Sequence, residues 1–212
     1  MTFQTKPQRS DSKPKKKTPR KITPSYLRNS GLFYLQRFPA SSGHFRTVML
    51  RKIKRSCNHH TDQDFDECTA MLDTLIESFI TDHILDDQGY INGMINSLRR
   101  AGKSRKAIFA RLMAKSVPSD KIESALKTYD EDNFEDPFEA EFLSALTFAR
   151  KKRLGLFNNK EKYDFEKSLA ILARQGFQYD TARKIMEIKR EGIATLPEDA
   201  QRIIYSAPSF ME

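Results

Sequence analysis

From Ser25 onward the apolar residues recur at i, i+3, i+4 and i+7, the spacing of a helix face turned toward a core. Tyr26, Leu27, Phe33, Tyr34 and Phe38 predict a first helix that ends near Pro39, and Phe45, Val48, Met49 and Ile53 a second. Phe65, Cys68, Leu72, Leu75, Ile76, Phe79 and Ile80 mark a third, closed by the breakers of "LDDQG". A fourth runs through Tyr90, Ile91, Met94, Ile95 and Leu98 to Gly102, and a fifth follows Ser104 with Ile108, Phe109, Leu112 and Met113. Pro118 opens a sixth, carrying Ile122, Ala125 and Leu126. Asp136-Pro137 opens a seventh, with Phe138, Phe142, Leu146 and Ala149. Phe165, Leu169 and Leu172 form an eighth, ended by Gly176, and Ala182, Ile185 and Met186 a ninth. No stretch sustains the period-2 alternation of a half-buried strand, so the expected class is all-α.

These helices repeat. A shift of 60 residues lays Phe109 on Leu169, Leu112 on Leu172 and Val117 on Phe177, and a shift of 64 the other way lays Phe109 on Phe45 and Met113 on Met49. The pattern predicts three tandem three-helix repeats over residues 25–80, 86–129 and 137–190, arranged as an elongated array. A unit of this size buries little core alone, so stability should come partly from packing between neighbours. Residues 1–24, with Pro at 7, 14, 19 and 24 and no apolar period, read as a disordered basic tail. Residues 191–212 read as a C-terminal tail.

Charge is segregated along the chain. The formal net charge is +9, yet residues 1–25 hold eight Lys or Arg against Asp11 alone. Residues 99–127 hold nine basic and two acidic residues, residues 128–142 seven acidic and no basic, and residues 143–190 twelve basic and five acidic. Local sign, more than overall charge, therefore sets what each surface attracts. The basic tail would anchor non-specifically to phosphate, or act only to keep the chain in solution.

Catalytic and metal chemistry find little footing. Cys57, His59, His60 and Cys68 are ligand types for zinc, but their spacing fits no common zinc site, and Cys68 falls on an apolar stripe. Asp62, Asp64 and Asp66 alternate without the Gly and Glu of a calcium loop, so Asp62 or Asp64 is better placed to cap the third helix. "AGKS" at 101–104 lacks the upstream Gly and strand of a phosphate loop. His44 and His83 have no partner in sequence, and the carboxylates of "YDEDNFEDPFEAE" read as a solvated joint. An enzyme is therefore not expected, and neither a metal nor another cofactor. No apolar run approaches the ~20 residues of a membrane span, no secretory signal opens the chain, and two cysteines make no disulfide framework, so a cytoplasmic protein is expected.

The basic clusters remain. Arg99, Arg100, Lys103, Arg105 and Lys106 surround one turn, and Arg111 and Lys115 follow at i, i+4 on the next helix. Arg150, Lys151, Lys152 and Arg153 form a second cluster at the end of the seventh helix, the corresponding junction. A helix-turn-helix reading of "SRKAIFARLMAKSVPSDKIESALKTY" places most cations before the reading helix and puts Asp120 and Glu123 on it, against phosphate. Repeated basic faces fit an extended partner better, either a nucleic-acid backbone or a protein filament.

"GYINGMINSLRRAGKSRKAIFARLMAKSVPSDKIESAL" resembles the middle repeat of the RecX regulatory proteins. "SGLFYLQRFPASSGHFRTVMLRKI" is similar to their first repeat, and "ALTFARKKRLGLF" with "DFEKSLAILARQGFQYDTARKIM" to their third. "KSV" departs from the Lys-Gly-Val usual there, and "PASSGHF" replaces a shorter turn. The resemblance implies a cytoplasmic modulator of the RecA recombinase, tied to DNA repair, recombination and the SOS response. Such a protein docks in the RecA filament on DNA and limits its activity, without a cofactor, a small-molecule substrate or a membrane. Single-stranded or duplex DNA would be bound weakly, and the two basic clusters above would face the filament. The other reading is a DNA-binding helical protein that acts independently of RecA.

Overall fold

Seven helices start where a short polar side chain accepts from an amide that the helix itself leaves unpaired. Thr23, Ser41, Asp64, Asp86, Ser104, Asp136 and Asp164 each cap a helix in this way. The computed structural model describes residues 18–158 and 164–207, and every regular element among them is helical. The elements are α1 (Pro24–Leu35), α2 (Ser42–Cys57), α3 (Phe65–Thr81), α4 (Asp87–Arg100), α5 (Arg105–Met113), α6 (Ser119–Asn133), α7 (Pro137–Lys152), α8 (Phe165–Arg174), α9 (Tyr179–Glu187) and α10 (Glu198–Tyr205). Short 3-10 turns lie at Gly155–Phe157 and Arg190–Thr195.

The apolar stripes gather into three clusters in chain order. Leu27, Phe45, Met49, Ile53, Leu72 and Phe79 fill the first. Ile91, Ile95, Ile108, Leu112, Ile122 and Leu126 fill the second. Leu146, Ala149, Leu169, Leu172 and Ile185 lie in the third. Each fully buried Leu, Ile or Phe contributes roughly 1.5–3 kcal/mol of transfer free energy, so these stripes supply the main drive for folding.

The structure departs from the expected stripes in several places. Phe33 and Phe38 are 56 % and 57 % exposed, and Ile80 and Met113 also face solvent. The C-terminal segment is no tail where it is described. Ile193, Ala200, Ile204 and Ala207 join the third cluster, and α10 packs on α7. At the other end, residues 1–17 of the expected tail lie outside the described residues. Residues 18–24 are held on the first unit: Ile22 is buried, Ser56 Oγ donates to the Arg20 carbonyl, and the Gln63 amide brackets Ile22 from both sides.

Neighbouring units meet through two junctions of the same construction. Ser41, the cap of α2, donates its hydroxyl to the Lys115 carbonyl at 2.7 Å, and the first amide of α2, at Ser42, donates to Asp87 of α4 at 2.6 Å. Ser104, the cap of α5, donates to the Gln175 carbonyl at 2.6 Å, and the first amide of α5, at Arg105, donates to Glu141 of α7 at 3.0 Å. In each case a serine cap and a foreign carboxylate satisfy orphan groups across the boundary. One partner in each contact is small. A Cβ on Gly43 would stand 2.5 Å from the carbonyl oxygen of Ser116, and a Cβ on Gly176 would stand 2.9 Å from Ser104 Oγ. Ser116 and Gly176 both have positive φ, at 57° and 88°. Gly43 therefore makes room for a left-handed residue that is serine in this chain.

Candidate functional site

Arg99, Arg105 and Lys151 of the expected basic clusters lie at the second of these junctions and Lys115 at the first, and the structure divides the members. Arg99, in the last turn of α4, is 6 % exposed. Its Nη2 donates to Asp130 at 3.0 Å and its Nη1 to Glu141 at 2.6 Å. Arg105 reaches the same Asp130 at 2.9 Å, with its side chain 44 % exposed. Arg99 is thus part of a buried ion network tying α4, α6 and α7, and not a surface cation as expected. Asp130 and Glu141 come from the segment read as a solvated joint. The adjacent +7 and −7 blocks were the sequence signal that could have found this pairing.

Other members are also engaged. Arg150 donates to the Ile203 carbonyl of α10 at 3.3 Å and to Ser206 Oγ. Lys151 donates to the Ala101 carbonyl at 3.0 Å, beside Gly102, whose Cβ would stand 2.8 Å from the Phe148 amide. Lys115 lies 3.4 Å from His44 Nε2. Burial, then the charges of Lys115 and Arg51, hold the His44 pKa below its ordinary value. Lys103 is half-buried, while Arg100, Lys106, Arg111, Lys152 and Arg153 are exposed.

A groove of about 1150 Å3 runs between α5 and α6 on one side and α7 and α9 on the other. Phe109 and Phe138 supply apolar surface, Arg99 and Arg105 close one wall, and Lys106, Asp120, Glu123, Lys127 and Glu131 line it. Lys184 stands over the Phe138 ring at 4.1 Å. Apolar surface with a rim of both signs suits a protein segment better than a phosphate backbone, which the carboxylates of the rim would repel.

The cysteine–histidine stretch is split by the fold. His60 Nε2 meets the Pro19 carbonyl at 2.9 Å, and Cys68 is buried in the first cluster. Burial first, and then neighbouring Cys57, push the Cys68 thiol up to about 11. Asp64 caps α3, accepting from the Glu67 amide at 2.8 Å. No described helix is long and apolar enough to cross a membrane.

Comparison with known proteins covers nearly the whole chain. It is 31 % identical over 174 residues to the regulatory protein RecX of Myxococcus xanthus, spanning 81 % of this chain and 89 % of that protein. It is 26 % identical over 190 residues to the regulatory protein RecX of Agrobacterium fabrum, spanning 87 % and 90 %. No family model matches the chain, and no solved structure matches it.

Proposed function

The chain belongs to the RecX family, and from that premise we propose that it is a non-catalytic regulator that binds the RecA recombinase and its filament on DNA and inhibits recombinase activity. The similarity to two regulatory proteins over more than four-fifths of the chain is the observation that supports the reading most. The regulatory relatives are matched over about nine-tenths of their own length.

The cations offered to the filament are Lys106 and Arg111 on α5, Arg100 at the end of α4, and Lys152 and Arg153 at the end of α7. They stand on consecutive units, so two weak contacts on one scaffold reinforce each other through effective concentration. The mixed groove beside Phe109 and Phe138 would take a protein element, and the cations the filament's bound DNA. Arg99 acts in this reading only by fixing α4, α6 and α7 against one another.

The test compares binding to RecA filaments on single-stranded DNA, to free RecA and to bare DNA. The filament is expected to bind most tightly. Lys106→Glu with Arg111→Glu, and Lys152→Glu with Arg153→Glu, should each weaken filament binding and inhibition of strand exchange far more than binding to bare DNA. A wild-type chain that prefers bare DNA would replace this reading with a DNA-binding protein acting without RecA.

A further inference from the structure

The first unit carries a surface that the recombinase reading does not use. From residue 18, where the described residues begin, to residue 61 the chain has nine Lys or Arg and no Asp or Glu. In the folded unit the acids of α3 are Asp66, Glu67, Asp73 and Glu77, and Arg46 of α2 is paired with Asp73 at 2.7 Å. Arg28, Arg37, Arg51, Lys54 and Arg55 are exposed and form no ion pair among the described residues. A concentration of uncompensated cations on two adjacent helices is the electrostatic footprint of a polyanion site.

Aromatic rings are built into the same surface. Tyr26, Ser30, Phe33 and Arg37 follow at i, i+4, i+7 and i+11, which places them on one stripe of α1 and its last turn. Lys52 of α2 crosses to this stripe, donating to Ser30 Oγ with its ammonium 5.6 Å from the Tyr26 ring. At the other end the Arg37 guanidinium stands 4.0 Å from the Phe33 centroid. Phe33 remains 56 % exposed with Arg37 on it, so ring surface is still open to another planar group. Beside this pair, Phe38 lies 5.5 Å from Tyr34 and is 57 % exposed. Leaving two phenylalanines in water costs free energy that the first core, one turn away, would recover. Their place among cations supplies a reason to keep them there.

We propose that the α1–α2 face binds single-stranded nucleic acid, with bases stacking on Phe33 and Phe38 and phosphates meeting Arg37, Arg51, Lys52 and Arg55. A duplex keeps its base faces stacked internally and offers these rings nothing but its backbone. A single strand offers both faces and phosphates at once. The face is separate from the groove between the second and third units, and it stands on its own residues whether or not RecA is the partner.

The chain contains no tryptophan, so Phe33→Trp places one fluorophore on the face. Labelled oligo(dT) of about 20 nucleotides should quench that tryptophan and bind more tightly than a duplex of equal length. Phe33→Ala should weaken oligo(dT) binding about tenfold and leave duplex binding unchanged. Arg51→Glu with Arg55→Glu should weaken both and flatten the dependence of affinity on salt. Circular dichroism of each variant should match the wild type, because the side chains are exposed. Phe33→Tyr should retain binding that Phe33→Leu loses, which separates stacking from bulk. Two results overturn the proposal: an unquenched tryptophan on a bound strand, or equal loss of oligo(dT) and heparin in Phe33→Ala. The second would show a face that reads charge alone, as an acidic protein would also present.

Discussion

Ser104 Oγ stands 2.6 Å from the Gln175 carbonyl and 3.1 Å from the Ala107 amide, so one hydroxyl caps α5 and fastens it to the unit beyond. Ser41 makes the same pair of bonds, to the Lys115 carbonyl at 2.7 Å and the His44 amide at 3.1 Å. The boundaries between units are therefore set by shared polar groups as well as by apolar packing.

Ser104→Ala removes a helix cap and orphans a carbonyl at a site with no solvent exposure. The two losses together should cost about 2 kcal/mol, which lowers Tm by roughly 4–8 °C in a chain of this size. Exposed Ser97→Ala in α4 should stay within about 0.5 kcal/mol of wild type. Denaturant titration of the two variants decides whether the junction contributes as described.

The two glycines Gly43 and Gly93 should respond oppositely to alanine. At Gly43 the new Cβ meets backbone of Ser116 at 2.5 Å, and relief by moving two units apart should cost roughly 1–3 kcal/mol. At Gly93, within α4, nothing lies within 4 Å of the new Cβ. There alanine should stabilise by about 0.5–1 kcal/mol through helix propensity. Thermal melts of Gly43→Ala and Gly93→Ala on opposite sides of wild type are the expected result.

Arg99→Ala removes the buried cation that Asp130, itself 4 % exposed, shares with Glu141. The expected cost is about 3–5 kcal/mol. Arg105→Ala, at a side chain 44 % exposed, should cost under about 1 kcal/mol. Equal and small losses in both variants would show that Arg99 is not the cation that holds this joint.

His44 gives the first junction a pH dependence. Its folded pKa lies below the ordinary 6.5, so the folded state disfavours the proton. The corresponding stability is present above about pH 6.5 and is lost as pH falls through the lower folded value. Wild type should lose stability between pH 7 and pH 5 relative to His44→Gln, by under about 1 kcal/mol because the site is only half-buried. Parallel unfolding midpoints across that range would remove His44 from the account.

The two cysteines should alkylate at different rates. Cys68 is buried, and with its pKa raised to about 11 it remains a neutral thiol at pH 8, whereas Cys57 is half-buried at the end of α2. Iodoacetamide should add one label quickly to the native chain, at Cys57, and the second only in denaturant. Peptide mass mapping that finds Cys68 labelled first would contradict the packing of the first cluster.

Much of the fold was legible because its signals are local. Ile91, Ile95 and Leu98, or Phe45, Met49 and Ile53, face a core because helical spacing puts them on one side whatever lies opposite. Asp64 and Ser104 cap helices because a short acceptor reaches an amide three residues on. α10 was missed because it is eight residues long, begins after Pro197 without a side-chain cap, and buries only Ala200 and Ile204. Phe33 and Phe38 were assigned to a buried stripe because periodicity marks a side of the helix and does not say where that side stops being covered.

An all-helical chain, the starts of its capped helices and the alternation of basic and acidic blocks follow from the sequence alone. Which charges are structural and which are free follows from how the helices pack. Arg99 meets Asp130 and Glu141 from 31 and 42 residues away, and Lys151 meets the Ala101 carbonyl from 50 away. A cation's role depends on its burial and on the nearest opposite charge, and both are set by which helices pack together. A residue's neighbours along the chain fix its helix face, whereas its neighbours in space fix its electrostatics.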